Sequence, residues 1–95
     1  MAYGPDDTIQ RDIEDAPYVQ LAGILRARLR RGDWKENRLM ASENQLSEEF
    51  GLSRPTVRRA IALLVDEGRL RVVPRRGTFV AGPASPEGDQ SSEPA

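Results

Sequence analysis

Residues 51–68 read GLSRPTVRRAIALLVDEG and contain the start, the apolar face and the end of one helix. Ser53 is a residue type that caps helices, Pro55 suits a first turn because its missing N–H has no partner there, and Gly68 is typical of a helix end. Apolar residues recur at helical spacing and predict a buried stripe: Val57, Ala60, Ile61 and Leu64. The polar residues are therefore expected on the other face or its edges: Arg54, Thr56, Arg58 and Arg59.

Two further helices are predicted before this one. Residues 42–50, SENQLSEEF, begin with Ser42 and have Gln45 three positions later, which is a capping-box pattern. Residues 17–31, PYVQLAGILRARLRR, begin with a proline and repeat leucines at helical spacing. The glycine-leucine pair at 51–52 leaves only a tight turn between the second and third helices.

A β-hairpin is predicted over residues 69–80, RLRVVPRRGTFV. Leu70 and Val72 alternate with arginine and are expected to face inward, and the chain turns at PRRG. The order of helix, helix, tight turn, helix and hairpin predicts a mostly α domain with a small β-hairpin. This is a winged helix-turn-helix with three helices and a β-wing.

The net charge of −1 hides an uneven distribution along the chain. Residues 1–16 carry one basic and five acidic residues, residues 17–82 carry thirteen basic and seven acidic residues, and residues 83–95 carry three acidic residues only. We expect an acidic flexible arm, a basic domain and a disordered acidic tail, respectively. A basic body favours a polyanionic partner, although solvated charge that keeps the protein soluble is the simpler alternative.

The two acidic ends suggest a further hypothesis. Together they carry a charge of −7, and they could fold back on the basic face and mimic DNA. Simple solubilisation is the alternative.

The chain contains no cysteine and no histidine. Disulfides, thiolate zinc sites and histidine-based catalysis are therefore excluded, and an enzyme would have to work with carboxylates such as Glu48 and Glu49. We predict that the chain is not an enzyme and holds no cofactor or metal. No apolar run approaches the ~18 residues of a membrane span, and no signal peptide is visible, so we expect a cytoplasmic protein without a membrane partner.

The polar start of the third helix has the form of a DNA-reading element. Arg54 and Arg58 lie one turn apart, so both guanidinium groups could bond guanine O6 and N7 in a major groove. Arg75 and Arg76 at the hairpin tip could contact flanking phosphates or the minor groove. The alternative is that these arginines are solvated, with Arg58 paired to acidic residues.

Residues 17–80 as a whole resemble the N-terminal DNA-binding domain of the GntR family of bacterial transcription regulators. The segments that carry the resemblance are PYVQLAGILRARLRRGDW, MASENQLSEEFGLSRPTVRRAI and LVDEGRLRVVPRRGTFV. The second of these resembles the family's Leu-Pro-Ser-Glu segment with its two following helices, and the third resembles the family's wing.

The resemblance implies roles for individual residues. It assigns base reading or adjoining phosphate contacts to Arg54, Thr56 and Arg58, with Ser53 as a cap and phosphate donor. It assigns three residues to the wing: Arg76, Gly77 and Thr78.

The chain departs from the family pattern at three of these sites. Asn44 stands where the family often has a DNA-contacting arginine, Pro55 stands at a common threonine position, and Arg75 replaces the glycine usual at the wing tip. We therefore expect a weakened or differently specific contact from the second helix, and altered approach of the wing to the minor groove.

The resemblance also implies a sequence-specific, double-stranded DNA-binding repressor, associated with the nucleoid and binding paired half-sites as a homodimer. Tyr3, Ile9 and Ile13 could supply a small dimer contact. The family's C-terminal effector domain has no counterpart here, so no small-molecule effector is evident, and we expect a stand-alone protein rather than a piece of a longer one. The alternative function is a winged-helix protein-interaction module in a larger complex.

Overall fold

A computed structural model describes residues 3–82, and the tail predicted to be disordered, 83–95, lies outside the described residues. The elements in chain order are α1 (Pro17–Arg31), α2 (Glu43–Phe50), α3 (Arg54–Asp66), β1 (Leu70–Val73) and β2 (Gly77–Val80). Three helices followed by an antiparallel hairpin confirm the predicted winged helix-turn-helix. Within this part of the chain, every helix is too short or too polar to cross a bilayer.

The start of α2 shows the predicted capping box. Ser42 Oγ accepts a hydrogen bond from the Gln45 backbone N–H at 3.1 Å, and Gln45 Oε1 accepts one from the Ser42 N–H at 2.8 Å. Two backbone donors that no helical carbonyl can reach are satisfied in this way. The cap fixes where α2 begins, and with it the position of the side chains in its first turn.

The hydrophobic core holds α3 between α1, α2 and the hairpin. Each of the helices and both strands contribute buried aliphatic side chains to it, among them Leu25, Leu46, Leu64, Leu70 and Val80. The predicted stripe of α3 faces this core. Because that face is buried, the polar face of α3 is turned to solvent.

Val72 is a correction to the predicted hairpin. Leu70 is buried as expected, but Val72 is 58% exposed. The reason is that β2 lies between β1 and residues 38–40: the Met40 N–H bonds the Thr78 carbonyl at 2.9 Å, on the side of β2 away from β1. β1 is therefore the outer strand, and only its first residue, Leu70, is buried.

Residues 3–16 of the N-terminal arm lie against the helical domain. The Arg28 Nε–H donates to the Pro5 carbonyl at 2.8 Å, and Asp6 pairs with Arg31 at 3.1 Å. Ile9, proposed above as part of a dimer contact, packs on the chain's own core. Within residues 3–82 Asp6 is the acid of the arm that forms an ion pair, with α1, and no acid of the arm pairs with an arginine of α3 or the wing.

Glu67 ties the end of α3 to α1 and makes stability depend on pH. It accepts hydrogen bonds from Arg26 and Arg69, and these lower the pKa of its carboxyl to about 2 from an ordinary 4.5. A folded-state pKa below the unfolded value means that the stabilisation is fully present above pH about 4.5 and is lost as the pH falls through about 2.

We expect Glu67→Gln to lower the free energy of unfolding at pH 7 by about 0.5–1 kcal/mol, a small value because water screens the partly exposed pairs. The difference from wild type should shrink as the pH falls towards 2, measured by urea unfolding across that range. Glu36→Gln is the control, because the exposed Glu36 carboxylate makes no ion pair within the described residues. A difference between Glu67→Gln and wild type that stays constant with pH would contradict this assignment.

Candidate nucleic-acid interface

The first turn of α3 is capped by a pair of hydroxyls. Ser53 Oγ accepts from the Thr56 backbone N–H at 3.3 Å and lies 2.9 Å from Thr56 Oγ1. Arg54 and Pro55, the first two residues of the helix, are exposed. The cap leaves the Arg54 side chain at the open end of the helix, where no ion pair holds it within residues 3–82.

Arg58 is exposed and is held by α2. Its Nε–H lies 3.1 Å from Glu43 Oε1 and 3.2 Å from Oε2. Arg58 is therefore paired with an acid, which is the alternative considered above. The ion pair engages only one of the five guanidinium N–H donors, so the terminal nitrogens remain available to a ligand.

Arg59 of α3 is exposed and lies against the start of α1. Its guanidinium carbon lies 3.9 Å from the centre of the Tyr18 ring at the start of α1. A cation over an aromatic face is attracted by the ring quadrupole, by about 0.5–1 kcal/mol at an exposed site. Arg59 therefore joins α3 to α1, and the stripe pattern gave no sign of this because Tyr18 lies 41 positions earlier in the chain.

A groove of about 480 Å³ separates the first turns of α2 and α3 from the wing. Asn44 of α2, Arg54 of α3 and Arg75 of the wing tip all line it. Three predicted site residues, far apart in sequence, are thus brought to one concave surface. Their hydrogen-bonding groups are an amide and two guanidinium groups, a combination suited to base edges and phosphate oxygens.

The wing tip is a turn in which the Arg76 N–H bonds the Val73 carbonyl at 3.0 Å. Arg75 has φ +67°, a left-handed conformation that favours glycine, the residue usual here in the resembling family. Arg75 and Arg76 are exposed and make no ion pair within residues 3–82. Thr78 of β2 is 9% exposed and lines the same groove as Arg75.

Gly77 fixes the way the wing returns to the domain. Its φ of +120° is strained for any side chain, and an added Cβ would lie 2.8 Å from Leu39 Cδ1. We expect Gly77→Ala to lower the free energy of unfolding by about 1–3 kcal/mol, mainly through backbone strain. Thermal unfolding measures this. Gly4→Ala is the matched control, since an added Cβ there meets nothing closer than 3.8 Å, and equal stability of the two variants would contradict the prediction.

Arg11 is a residue near this surface that sequence patterns did not reveal. Its Nη2 donates to the Gly51 carbonyl at 3.0 Å, in the turn between α2 and α3. The acidic composition of residues 1–16 concealed it, because a single arginine among five acids gives no basic signal.

Charge compensation separates the two sides of the domain. Three of the four arginines of α1 are paired with carboxylates, namely Arg26, Arg28 and Arg31, and Arg30 is unpaired within the described residues. Within the part of the chain that the structure describes, Arg54, Arg75 and Arg76 have no such partner, whereas Arg58 of α3 pairs with Glu43.

A family model described as "Bacterial regulatory proteins, gntR family" matches residues 17–80. The chain belongs to the GntR family. The match covers all three helices and the hairpin and confirms the resemblance drawn from the sequence.

Relatives of known role share this region with the chain. The HTH-type transcriptional repressor NagR of Bacillus subtilis (strain 168) is 39% identical over 66 residues, which are 70% of this chain and 27% of NagR. The mannosyl-D-glycerate transport/metabolism system repressor MngR of Escherichia coli (strain K12) is 38% identical over 63 residues, 66% of this chain and 26% of MngR. The chain thus spans about a quarter of the length of these relatives.

Solved structures of GntR domains have the same fold. The DNA-binding domain of AraR in complex with operator ORE1 matches with a TM-score of 0.70 and 33% identity, over 77% of this chain and 89% of that chain. YtrA from Sulfolobus acidocaldarius, a GntR-family transcription factor, matches with a TM-score of 0.71 and 27% identity, over 81% of both chains.

Proposed function

We propose that this GntR chain binds double-stranded DNA at specific operator sequences and represses transcription. In this proposal α3 enters the major groove and the wing lies on the flanking backbone or in the minor groove. The observation that carries it is the groove lined by Asn44, Arg54 and Arg75, whose two arginines form no ion pair within the described residues, while Glu43 at the same groove pairs with Arg58. Repressor relatives and the operator complex of AraR support the same conclusion. We expect the protein to act in the cytoplasm, on nucleoid DNA.

The residues divide between reading and positioning. Arg54 and Arg58 are the proposed base readers. Glu43 holds Arg58 through Nε, and the terminal N–H groups of Arg58 contact guanine. Asn44 is suited to adenine or to a phosphate. Arg75 and Arg76 of the wing are the proposed backbone contacts, which add affinity without sequence preference.

DNA binding through these cations should weaken steeply with salt. Each neutralised phosphate contributes about −0.9 to the slope of log Kobs against log salt, so we expect a slope of about −3 or steeper from three or more contacts. Fluorescence anisotropy with a labelled duplex between low and physiological salt measures this slope. A duplex whose binding does not respond to salt would contradict the proposed interface.

An apolar surface supports the second candidate, a protein-interaction module. Ala62 and Val65 of α3 lie beside the exposed Val72 of β1, and together they line one depression of the surface. The affinity of a partner docked there would depend little on salt, whereas the affinity of DNA for the groove would fall steeply as salt is raised. The same salt titration therefore separates the two functions.

A homodimer on paired half-sites is part of the proposal for the DNA complex. Ile9 packs on the core of its own chain. Ile13, at 41% exposure, is the exposed aliphatic residue that remains for the suggested dimer contact. Sedimentation of the protein with a duplex carrying two half-sites tests this. We expect two chains per duplex, and a single chain at saturation would contradict the dimer.

A further inference from the structure

Residues 3–16, here called the N-terminal strap, are fastened at one end to the middle of α1. The Tyr3 hydroxyl donates to the Asp15 carboxylate, and the Tyr3 ring covers Gly23 so closely that an added Cβ would lie 2.4 Å from its Cδ2. Glycine inside a helix costs about 0.5–1 kcal/mol relative to alanine. At this position it makes room for the strap.

A buried amide fastens the centre of the strap. Gln20 of α1 has 0% exposure, and its Nε2 donates to the carbonyls of Gln10 and Asp15, each at 2.8 Å. Its Oε1 accepts from the Gln10 N–H, also at 2.8 Å. These three hydrogen bonds satisfy the amide that the strap covers, and each contributes about 0.5–1.5 kcal/mol to holding residues 10–15 against α1.

The strap places the guanidinium group of Arg11 at the turn before α3. Arg11 follows the anchored Gln10, is exposed, and bonds the Gly51 carbonyl through Nη2 at 3.0 Å. Gly51 precedes Ser53, the cap of α3, by two residues, so their Cα atoms are at most about 7.6 Å apart. Within residues 3–82 no carboxylate pairs with Arg11, and its remaining guanidinium donors are free.

We propose that Arg11 is a further DNA contact, made to a backbone phosphate beside the groove that α3 enters. The Arg11 guanidinium lies at the turn before α3 and not on the helix itself, so we expect it to reach a phosphate. A guanidinium binds phosphate oxygens with two parallel N–H donors. The exposed acids that follow it, Asp12 and Glu14, oppose further contacts along the strap. This inference rests on the proposed DNA-binding function.

The test compares Arg11→Ala with Arg30→Ala on two probes, a random-sequence duplex pool and the duplex that wild type enriches from it. Arg30 is an exposed arginine in the last turn of α1 with no ion pair in the described structure, so it controls for loss of charge alone. Arg11→Ala should weaken binding to both probes by a similar factor and reduce the magnitude of the salt slope by about 0.9, one phosphate. Arg30→Ala should leave the slope unchanged. An Arg11→Ala slope equal to that of Arg30→Ala overturns the inference.

A second variant tests whether the strap positions Arg11. The double variant Gly23→Ala/Gln20→Ala displaces the Tyr3 ring and removes the hydrogen bonds that hold Gln10 and Asp15, so the strap is released, while alanine at both positions favours the helix α1 itself. In that background Arg11→Ala should cause no further change in the slope, and a full additional loss of about 0.9 overturns the positioning role. If wild type binds neither probe, the proposed function fails. If wild type binds and Arg11→Ala matches Arg30→Ala, this inference alone fails.

Discussion

Arg58→Ala should weaken binding to the preferred operator by about 5- to 150-fold, equivalent to about 1–3 kcal/mol, and should relax the base preference at one position. The side chain is exposed on α3, and its terminal N–H groups are free while Nε bonds Glu43. The substitution would remove the proposed bidentate contact to guanine along with one charge. Competition of operator variants in a fluorescence anisotropy assay measures both effects.

Two controls separate base reading from charge. Arg58→Lys keeps the charge but loses the planar fork, so it should lose the base preference nearly as fully as alanine does. Arg76→Ala should weaken all sequences about equally, since the wing tip is proposed to contact the backbone. If Arg58→Ala leaves the base preference of wild type intact, α3 is not the reading helix.

Leu64→Ala should lower the free energy of unfolding by about 2–5 kcal/mol, because the cavity it leaves lies in the centre of a small core. Leu64 has 0% exposure and faces the core that holds α3 in place. For a domain of this size the loss corresponds to a melting temperature lower by roughly 10–30 °C. Thermal unfolding followed by circular dichroism measures it.

Val65→Ala is the matched control, one position further along α3 and 36% exposed. We expect it to change the free energy of unfolding by no more than about 0.5 kcal/mol. If the two variants lose equal stability, the core face of α3 is wrongly assigned.

The local features of this fold could be predicted from sequence because each depends on residues a few positions apart. The Ser42 and Gln45 capping box, the Ser53 cap and the buried stripe of α3 were all confirmed. Helix capping and helical periodicity act within one or two turns of chain, so the pattern of residue types contains them.

The strap could not be predicted in the same way. Its contacts join residues that are distant in sequence, such as Tyr3 with Gly23 and Arg11 with Gly51. The residues next to Gly23 in the sequence do not indicate why a glycine stands inside α1, and the acids around Arg11 do not indicate what its side chain contacts. Only the tertiary arrangement shows that one makes room and the other reaches the turn before α3.

The candidate site was predicted in part. Asn44, Arg54 and Arg75 meet at one groove, which the order of elements alone could not establish. Arg59 stacks on Tyr18 and Thr78 is buried, because packing partners from α1 and from residues 38–40 decide the orientation of those side chains. The role of each site residue in DNA binding stays a prediction.

Selection from a random double-stranded DNA library at near-physiological salt tests the central claim most directly, with wild type and Arg54→Ala/Arg58→Ala run side by side. The structure places both arginines exposed on the first two turns of α3, so their loss should leave the fold intact. We expect wild type to enrich a defined motif and the double variant to lose it. A wild type that enriches no motif, or a double variant that enriches the same one, would contradict recognition of an operator by α3.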